Sequence, residues 1–134
     1  MISGHCLCGS VGFEVSEPFV TVTVCHCTNC KKLSGGTGTV NGRVATAAVR
    51  VVAGHDHLRT YQPAEGTAKT FCAVCGSNLF GAGWPRSDWT SVRLSALDDP
   101  FEGRPDRHIY VRSVAPWETV PDDGLPRFET TAEA

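Results

Sequence analysis

Apolar and polar residues alternate along several short stretches of the chain, as they do in β-strands with one buried face. The alternation is clearest in residues 11–15 and 20–24. The β tendency continues, between glycines and prolines, in residues 37–44, 49–52, 70–71, 78–80, 91–94 and 108–111. A short helix is expected after Cys27, with Thr28 as its N-cap and residues 29–33 as its first turns. The pattern therefore predicts a mainly β protein with one or two short helical turns.

The chain has 134 residues, which favours a single domain with its own core. We expect this domain to occupy residues 1–129, with a flexible tail at 130–134. The formal net charge is −2 and charges of both signs are interspersed, so neither a nucleic-acid partner nor a membrane span is expected. The first cysteine lies too near Met1 to leave room for a signal peptide. These features predict a cytoplasmic protein whose thiols stay reduced.

Seven cysteines fall in three tight groups. The groups are Cys6 with Cys8, then Cys25, Cys27 and Cys30, and finally Cys72 with Cys75. Thiolates one or two residues apart are typical ligands of a soft tetrahedral ion such as zinc. A complete tetrathiolate site uses four sulfurs. Seven cysteines therefore predict one closed site and one site with a position left open.

The two outer groups share their flanking residues. A Cys-Gly-Ser sequence, followed three residues after the serine by phenylalanine, begins at Cys8 and again at Cys75. Glycine at this position permits a tight turn whose amides point at the thiolate. We therefore expect two matching zinc knuckles that form a closed structural zinc site from Cys6, Cys8, Cys72 and Cys75. The competing interpretation, four separate buried thiols, does not explain the matching flanks.

The middle group lacks that glycine and has no eighth cysteine to complete it. If residues 20–27 form a strand, Cys25 and Cys27 point to one face and His26 to the other. Cys30 then follows on the next turn, so that three sulfurs can hold a second zinc. Three histidines remain alternatives for the fourth ligand: His55, His57 and His108. We expect instead an open position, while a loosely metallated or redox-sensitive cluster is the competing interpretation.

Other polar residues have both a functional and a structural interpretation. Asp98 and Asp99 precede Pro100, which favours a turn over acid–base chemistry. His108 could carry protons near the open zinc, but a histidine entering a strand is more often structural. Three cationic side chains could receive substrate carboxylates or could simply be solvated: Lys31, Lys32 and Arg43.

The ordered cysteine groups and several further segments resemble the glutathione-dependent formaldehyde-activating enzymes, the CENP-V/GFA domain family. The matching segments are residues 4–9, 25–35, 70–77, 97–100, 108–111, Trp117 and 125–128. The resemblance implies a single domain with the Mss4-like fold of folded antiparallel β-sheets around a structural zinc. It also implies a catalytic zinc on Cys25, Cys27 and Cys30. Lys31 and Lys69 stand where the family often carries arginine.

The resemblance also implies a carbon–sulfur lyase or synthase similar to S-(hydroxymethyl)glutathione synthase. Its expected ligands are two Zn²⁺ ions and a small-molecule thiol or thiol adduct resembling glutathione. A zinc with three thiolates suits the activation of a sulfur ligand, which agrees with this chemistry. The alternative is a non-catalytic zinc-binding module that docks a protein partner, with a histidine closing the middle site. A zinc-linked redox switch is a third hypothesis.

Overall fold

The computed structural model describes residues 1–132 and is mainly β, as predicted. The strands are β1 (Ile2–His5), β2 (Gly12–Val15), β3 (Thr21–Cys25), β4 (Thr39–Ala45), β5 (Val49–Ala53), β6 (Leu58–Tyr61), β7 (Lys69–Cys72), β8 (Asn78–Gly81), β9 (Trp89–Arg93) and β10 (Arg107–Ile109). The α-helix α1 spans Thr28–Ser34. Single 3-10 turns lie at Thr46–Ala48, His55–His57, Leu94–Ala96 and Val111–Ser113.

The strands form two sheets. The smaller has the order β1-β2-β5, and the larger has the order β10-β3-β4-β9-β8-β7-β6. Neighbouring strands are antiparallel throughout, except that β10 runs parallel to β3 at the edge of the larger sheet. The predicted antiparallel architecture is therefore confirmed, with one parallel edge pair.

The core lies where the two sheets meet. Phe13 of the smaller sheet packs edge to face against Phe80 of the larger sheet, with 5.0 Å between ring centroids. Val15, Val44 and Val92 are also fully or almost fully buried in this cluster. These positions belong to the alternating segments, so burial of every second side chain explains why the sequence folds as strands here.

The pattern missed two strands, β1 and β6. In β1 only Ile2 is a large apolar residue, and β6 is an edge strand whose last three residues are exposed. Backbone pairing holds both: β1 pairs along its length with β2, and β6 with β7. Each is held by pairing with the next strand along the chain, and neither has an apolar alternation of its own to detect.

The predicted helix is present, but its N-cap is Cys27 and not Thr28. Cys27 has extended backbone geometry, and its Sγ accepts a hydrogen bond from the Cys30 backbone N–H at 3.3 Å. The thiol therefore takes the capping role that a serine or threonine usually has. The strand expected to reach Cys27 ends at Cys25, which leaves His26 and Cys27 as a link between β3 and α1.

At the C-terminal end, the Thr130 carbonyl accepts a hydrogen bond from the Tyr110 backbone N–H at 2.9 Å. The predicted tail at 130–134 includes two residues, 133 and 134, that lie outside the described part of the chain. Its flexibility, like the domain boundary, stays a prediction. Within residues 1–132, no helix has the length and apolar character needed to cross a membrane.

Candidate functional site

The four outer cysteines form one cluster. Their sulfur atoms all lie within 4.8 Å of one another. Cys8 Sγ is 3.6 Å from Cys6 Sγ and 4.0 Å from Cys72 Sγ. A tetrahedral zinc with bonds of about 2.3 Å places its sulfurs about 3.8 Å apart, so this donor set fits a zinc tetrathiolate.

Two matching turns build this cluster. Gly9 N–H donates to the Cys6 carbonyl at 3.0 Å, and Gly76 N–H donates to the Cys72 carbonyl at 2.7 Å. The two glycines have nearly the same backbone angle, φ +81° and +80°, which glycine alone adopts without strain. The two matching turns expected from the repeated sequence are therefore present, one in the β1–β2 connection and one in the β7–β8 connection.

Serine hydroxyls stabilise the thiolate form of two of these cysteines. Ser77 Oγ lies 3.2 Å from Cys75 Sγ, and hydrogen bonds from Ser77 lower the pKa of Cys75 to about 5. Ser10 lowers the pKa of Cys8 in the same way. Burial raises the pKa of Cys72 to about 11. The serine of the repeated Cys-Gly-Ser sequence therefore favours the deprotonated thiolate, which is the form that binds metal, at Cys8 and Cys75.

The three middle cysteines form a second cluster, again with all sulfurs within 4.8 Å of one another. Cys25 ends β3, Cys27 caps α1 and Cys30 lies in its first turn. No histidine, aspartate or glutamate side chain of residues 1–132 joins this group at that distance. Three sulfurs converging from one local segment fit a soft metal ion and leave its fourth position to a ligand from outside.

Two buried cations lie beside the middle cluster. Lys69 and Arg93 are 7% and 3% exposed. Burial lowers the pKa of each side chain, and the negative charge of Cys30 is the largest influence in the opposite direction. Hydrogen bonds from the Cys25 and Cys27 thiols lower the pKa of Cys30, and the positive charge of Arg93 acts in the same direction. Cys25 shows the opposite change, since hydrogen bonds with Cys27 and Cys30, together with burial, raise its pKa. The surroundings thus favour a thiolate at Cys30, with a proton kept on Cys25.

Arg93 is held by three side chains of the sheet. Its Nε donates to Asn78 Oδ1 at 2.6 Å, and its Nη1 donates to Asn41 Oδ1 and to Thr39 Oγ1. A side chain larger than glycine at position 81 would collide with the guanidinium, since an added Cβ would lie 2.8 Å from Nη2. The buried Nη2 packs against Gly81 and has no hydrogen-bond partner among the described residues.

All three middle cysteines line a cavity of about 510 Å³, and none of the outer four does. Strands β3, β4 and β9 supply its floor in rows of paired residues. The row nearest the helix has Cys25, which pairs with Thr39. The next row has Thr23, Asn41 and Arg93. The third row has Thr21, Arg43 and Ser91. Four cations line the cavity against a single acid, Glu65. The cavity therefore suits an anionic ligand that reaches the cysteines.

His26 points away from the sulfurs, as the strand geometry predicted. Its Nε2 lies 2.9 Å from His108 Nδ1, and His108 Nε2 lies 2.8 Å from Asp123 Oδ2. The hydrogen bond from His108 lowers the pKa of Asp123, and burial lowers that of His26. Because Asp123 is ionised, His108 Nε2 carries a proton and donates it to Asp123 Oδ2. His108 Nδ1 then accepts a hydrogen bond from His26 Nε2. This buried chain fixes the segment between Cys25 and Cys27, and neither histidine lines the cavity.

The remaining predicted residues divide between the cavity and other contacts. Arg43 lines the cavity. Lys31 instead donates to Glu118 at 2.9 Å and to the Ser113 carbonyl at 2.6 Å, so it is not free to bind a carboxylate. Asp98 pairs with His5 Nδ1, and its backbone N–H bonds to the Ser3 carbonyl, so it contacts β1 and does not line the cavity. His55 and His57 lie in the 3-10 turn between β5 and β6.

Sequence reasoning missed Arg93, and with it Thr23 and Asn41 on the cavity floor. A signal for Arg93 was present, because this arginine ends a strand whose neighbouring residues alternate towards the core. An arginine that is buried in a sheet requires several acceptors or an anion nearby. The sequence does not reveal which acceptors, because Asn41 and Asn78 come from other strands.

Comparisons with known proteins agree with this description. A family model described as glutathione-dependent formaldehyde-activating enzyme matches residues 1–113. A protein of Halomonas elongata, provisionally named as such an enzyme, is 30% identical over 132 residues, which cover 90% of this chain and 81% of that protein. A crystal structure of a Rhodobacter sphaeroides protein has the same fold, with a TM-score of 0.60 at 22% identity over 94% of this chain and 98% of that one. The chain belongs to the family of glutathione-dependent formaldehyde-activating enzymes.

Proposed function

We propose that this protein is a zinc-dependent carbon–sulfur lyase or synthase that acts on a thiol adduct similar to that of glutathione with formaldehyde. The observation that carries the proposal is the three-cysteine cluster without a fourth protein ligand in residues 1–132, facing a cationic cavity. A zinc ion bound there would supply an open position that stabilises the substrate sulfur as a thiolate.

The residues around the cluster support the chemistry. In the synthetic direction a carbon–sulfur bond forms between the thiol and the aldehyde carbon, and the thiol proton ends on the former carbonyl oxygen. The lyase direction is the reverse, and no oxidant or reductant is needed. Lys69 and Arg93 offset the negative charge of the sulfurs.

The outer cluster has a different proposed role. We assign a structural zinc to Cys6, Cys8, Cys72 and Cys75, because four sulfurs fill a tetrahedral shell and leave no place for substrate. The same zinc would tie the first hairpin to the β7–β8 hairpin, which are remote in sequence.

Zinc content and adduct turnover test the proposal together. The purified protein is expected to contain about two zinc ions, one held more weakly, and to accelerate exchange of ¹³C-formaldehyde with glutathione, measured by NMR. Cys25→Ser should remove about one zinc and the acceleration while the fold persists. A single tightly held zinc that Cys25→Ser leaves unchanged would contradict the proposal. Two zincs without any acceleration would favour the partner-binding module instead.

A further inference from the structure

The third row of the cavity floor lies far from the sulfurs. On β4, Thr39 lies opposite Cys25 and Arg43 lies four residues further along the strand. At about 3.3 Å per residue, these positions are separated by about 13 Å. A ligand that touches both the cysteines and the Arg43 side chain therefore carries its sulfur and its anionic group at separate ends.

Arg43 is positioned by an aromatic side chain. Its guanidinium carbon lies 4.5 Å from the ring centroid of Trp89, which is 40% exposed. Trp89 pairs with Ala45 across β4 and β9, and is therefore the diagonal neighbour of Arg43 on the same face of the sheet. Stacking on an indole restrains the guanidinium while leaving its outer N–H groups free. On the opposite, β10 side of the cavity, Arg112 lies 5.9 Å from the ring of Tyr110.

Arg43 also has no counter-ion. The ion pairs found among residues 1–132 join His5 with Asp98, Lys31 with Glu118 and His108 with Asp123, and none includes Arg43. The buried cations of the cavity already have the sulfurs beside them, as described above. A restrained, exposed and unpaired guanidinium is the arrangement that binds a carboxylate through two parallel hydrogen bonds.

The backbone shows a second sign of a binding site at this cavity. Among the described residues, the non-glycine residues with positive φ are Ala82 at 60° and Tyr110 at 58°. Both line the cavity. Strained conformations of this kind concentrate where a ligand is held.

We propose that Arg43, stacked on Trp89, is a specificity-determining residue that binds a carboxylate of the substrate at the end of the cavity remote from the sulfurs. This inference rests on the proposed function. It assigns to Arg43 the recognition of a carboxylate that lies well away from the substrate sulfur. Small neutral thiols lack the group that Arg43 recognises.

Binding of two matched probes tests this assignment. Glutathione carries free carboxylates, and its diethyl ester keeps the thiol while removing those charges. Each is titrated into the cobalt-substituted protein, and binding is followed by the sulfur-to-cobalt absorbance and by calorimetry. The wild-type protein should bind glutathione about tenfold or more tightly than the ester, since a charge-assisted bidentate contact is lost in the ester.

Arg43→Gln should remove most of that preference by weakening glutathione about tenfold while leaving the ester within about twofold. Arg43→Lys should retain part of it, because lysine keeps the charge but not the paired donors. Arg50→Gln is the charge-matched control, since Arg50 is exposed on β5 in the other sheet, and it should change neither affinity. Melting curves check that each variant is folded.

Preference for glutathione that survives Arg43→Gln, or that Arg50→Gln removes equally, would overturn the assignment and leave the proposed function intact. Absence of any absorbance change with either thiol, in a protein that holds two cobalt ions, would contradict the proposed function itself. The two failures are therefore distinguishable.

Discussion

The two cysteine clusters use the same donor atom in opposite surroundings. The outer cluster sits at the tips of two matching turns, where Ser10 and Ser77 are the polar neighbours of its sulfurs. The middle cluster lies at the junction of β3 and α1, beside two buried cations and facing a cavity. Burial alone does not separate them, since Cys72 and Cys30 are 0% and 3% exposed.

The difference shows how the fold assigns a role to a thiolate. Four sulfurs contributed by two hairpins would complete the tetrahedral shell of a zinc ion and connect parts of the chain that are remote in sequence. Three sulfurs from one local segment connect little, but leave a coordination position and a space in front of it. The number of ligands and their distance along the chain, more than their chemistry, distinguish a structural from a reactive site.

Removing one sulfur from each cluster should give the largest contrast. Cys72→Ser is expected to abolish stable folding, because structural zinc binding supplies about 10–16 kcal/mol in small zinc domains. Cys30→Ser should stay folded, lose about one zinc and shift the melting temperature by no more than about 5 °C. Circular dichroism melts and metal analysis measure both. Equal loss of stability in the two variants would contradict the division of roles.

Arg93→Lys should give a smaller effect that is confined to the middle cluster. The change leaves the amide oxygens of Asn41 and Asn78 short of donors, which should destabilise the fold by about 1–3 kcal/mol. Lysine keeps the charge but not the guanidinium that Asn41 and Asn78 fix beside the sulfurs. A chelator should therefore remove the weakly held zinc several-fold faster and leave the tightly held zinc unchanged. Arg50→Lys, on the exposed face of β5, should alter neither zinc-release phase. Acceleration of both phases would show that Arg93 acts on the whole fold.

The same contrast explains what could be read from the sequence. The clusters were predictable because local spacing and the repeated Cys-Gly-Ser sequence encode the turns that gather them. The strands with one buried face were predictable from alternation. β1 and β6 were not, because they carry few apolar residues and are held by backbone pairing with the next strand. The capping role of Cys27 was missed because a thiol here replaces the usual hydroxyl.

The cavity was the least predictable part. Its floor consists of polar residues from three strands, such as Thr23, Asn41 and Arg93, that come together only through strand register. Of the three cations considered from the sequence, the fold places Arg43 in the cavity and pairs Lys31 with Glu118. Which cation meets a ligand depends on tertiary contacts that no local pattern records.

The division of roles between the two clusters is tested most directly by a crystal structure of the zinc-loaded protein soaked with glutathione, with anomalous data at the zinc edge. Two zinc peaks are expected. One should have the sulfurs of Cys6, Cys8, Cys72 and Cys75 as its four ligands, and the other should have those of Cys25, Cys27 and Cys30 with the glutathione sulfur as the fourth. A protein side chain in that fourth position, or no zinc at the middle cluster, would contradict it.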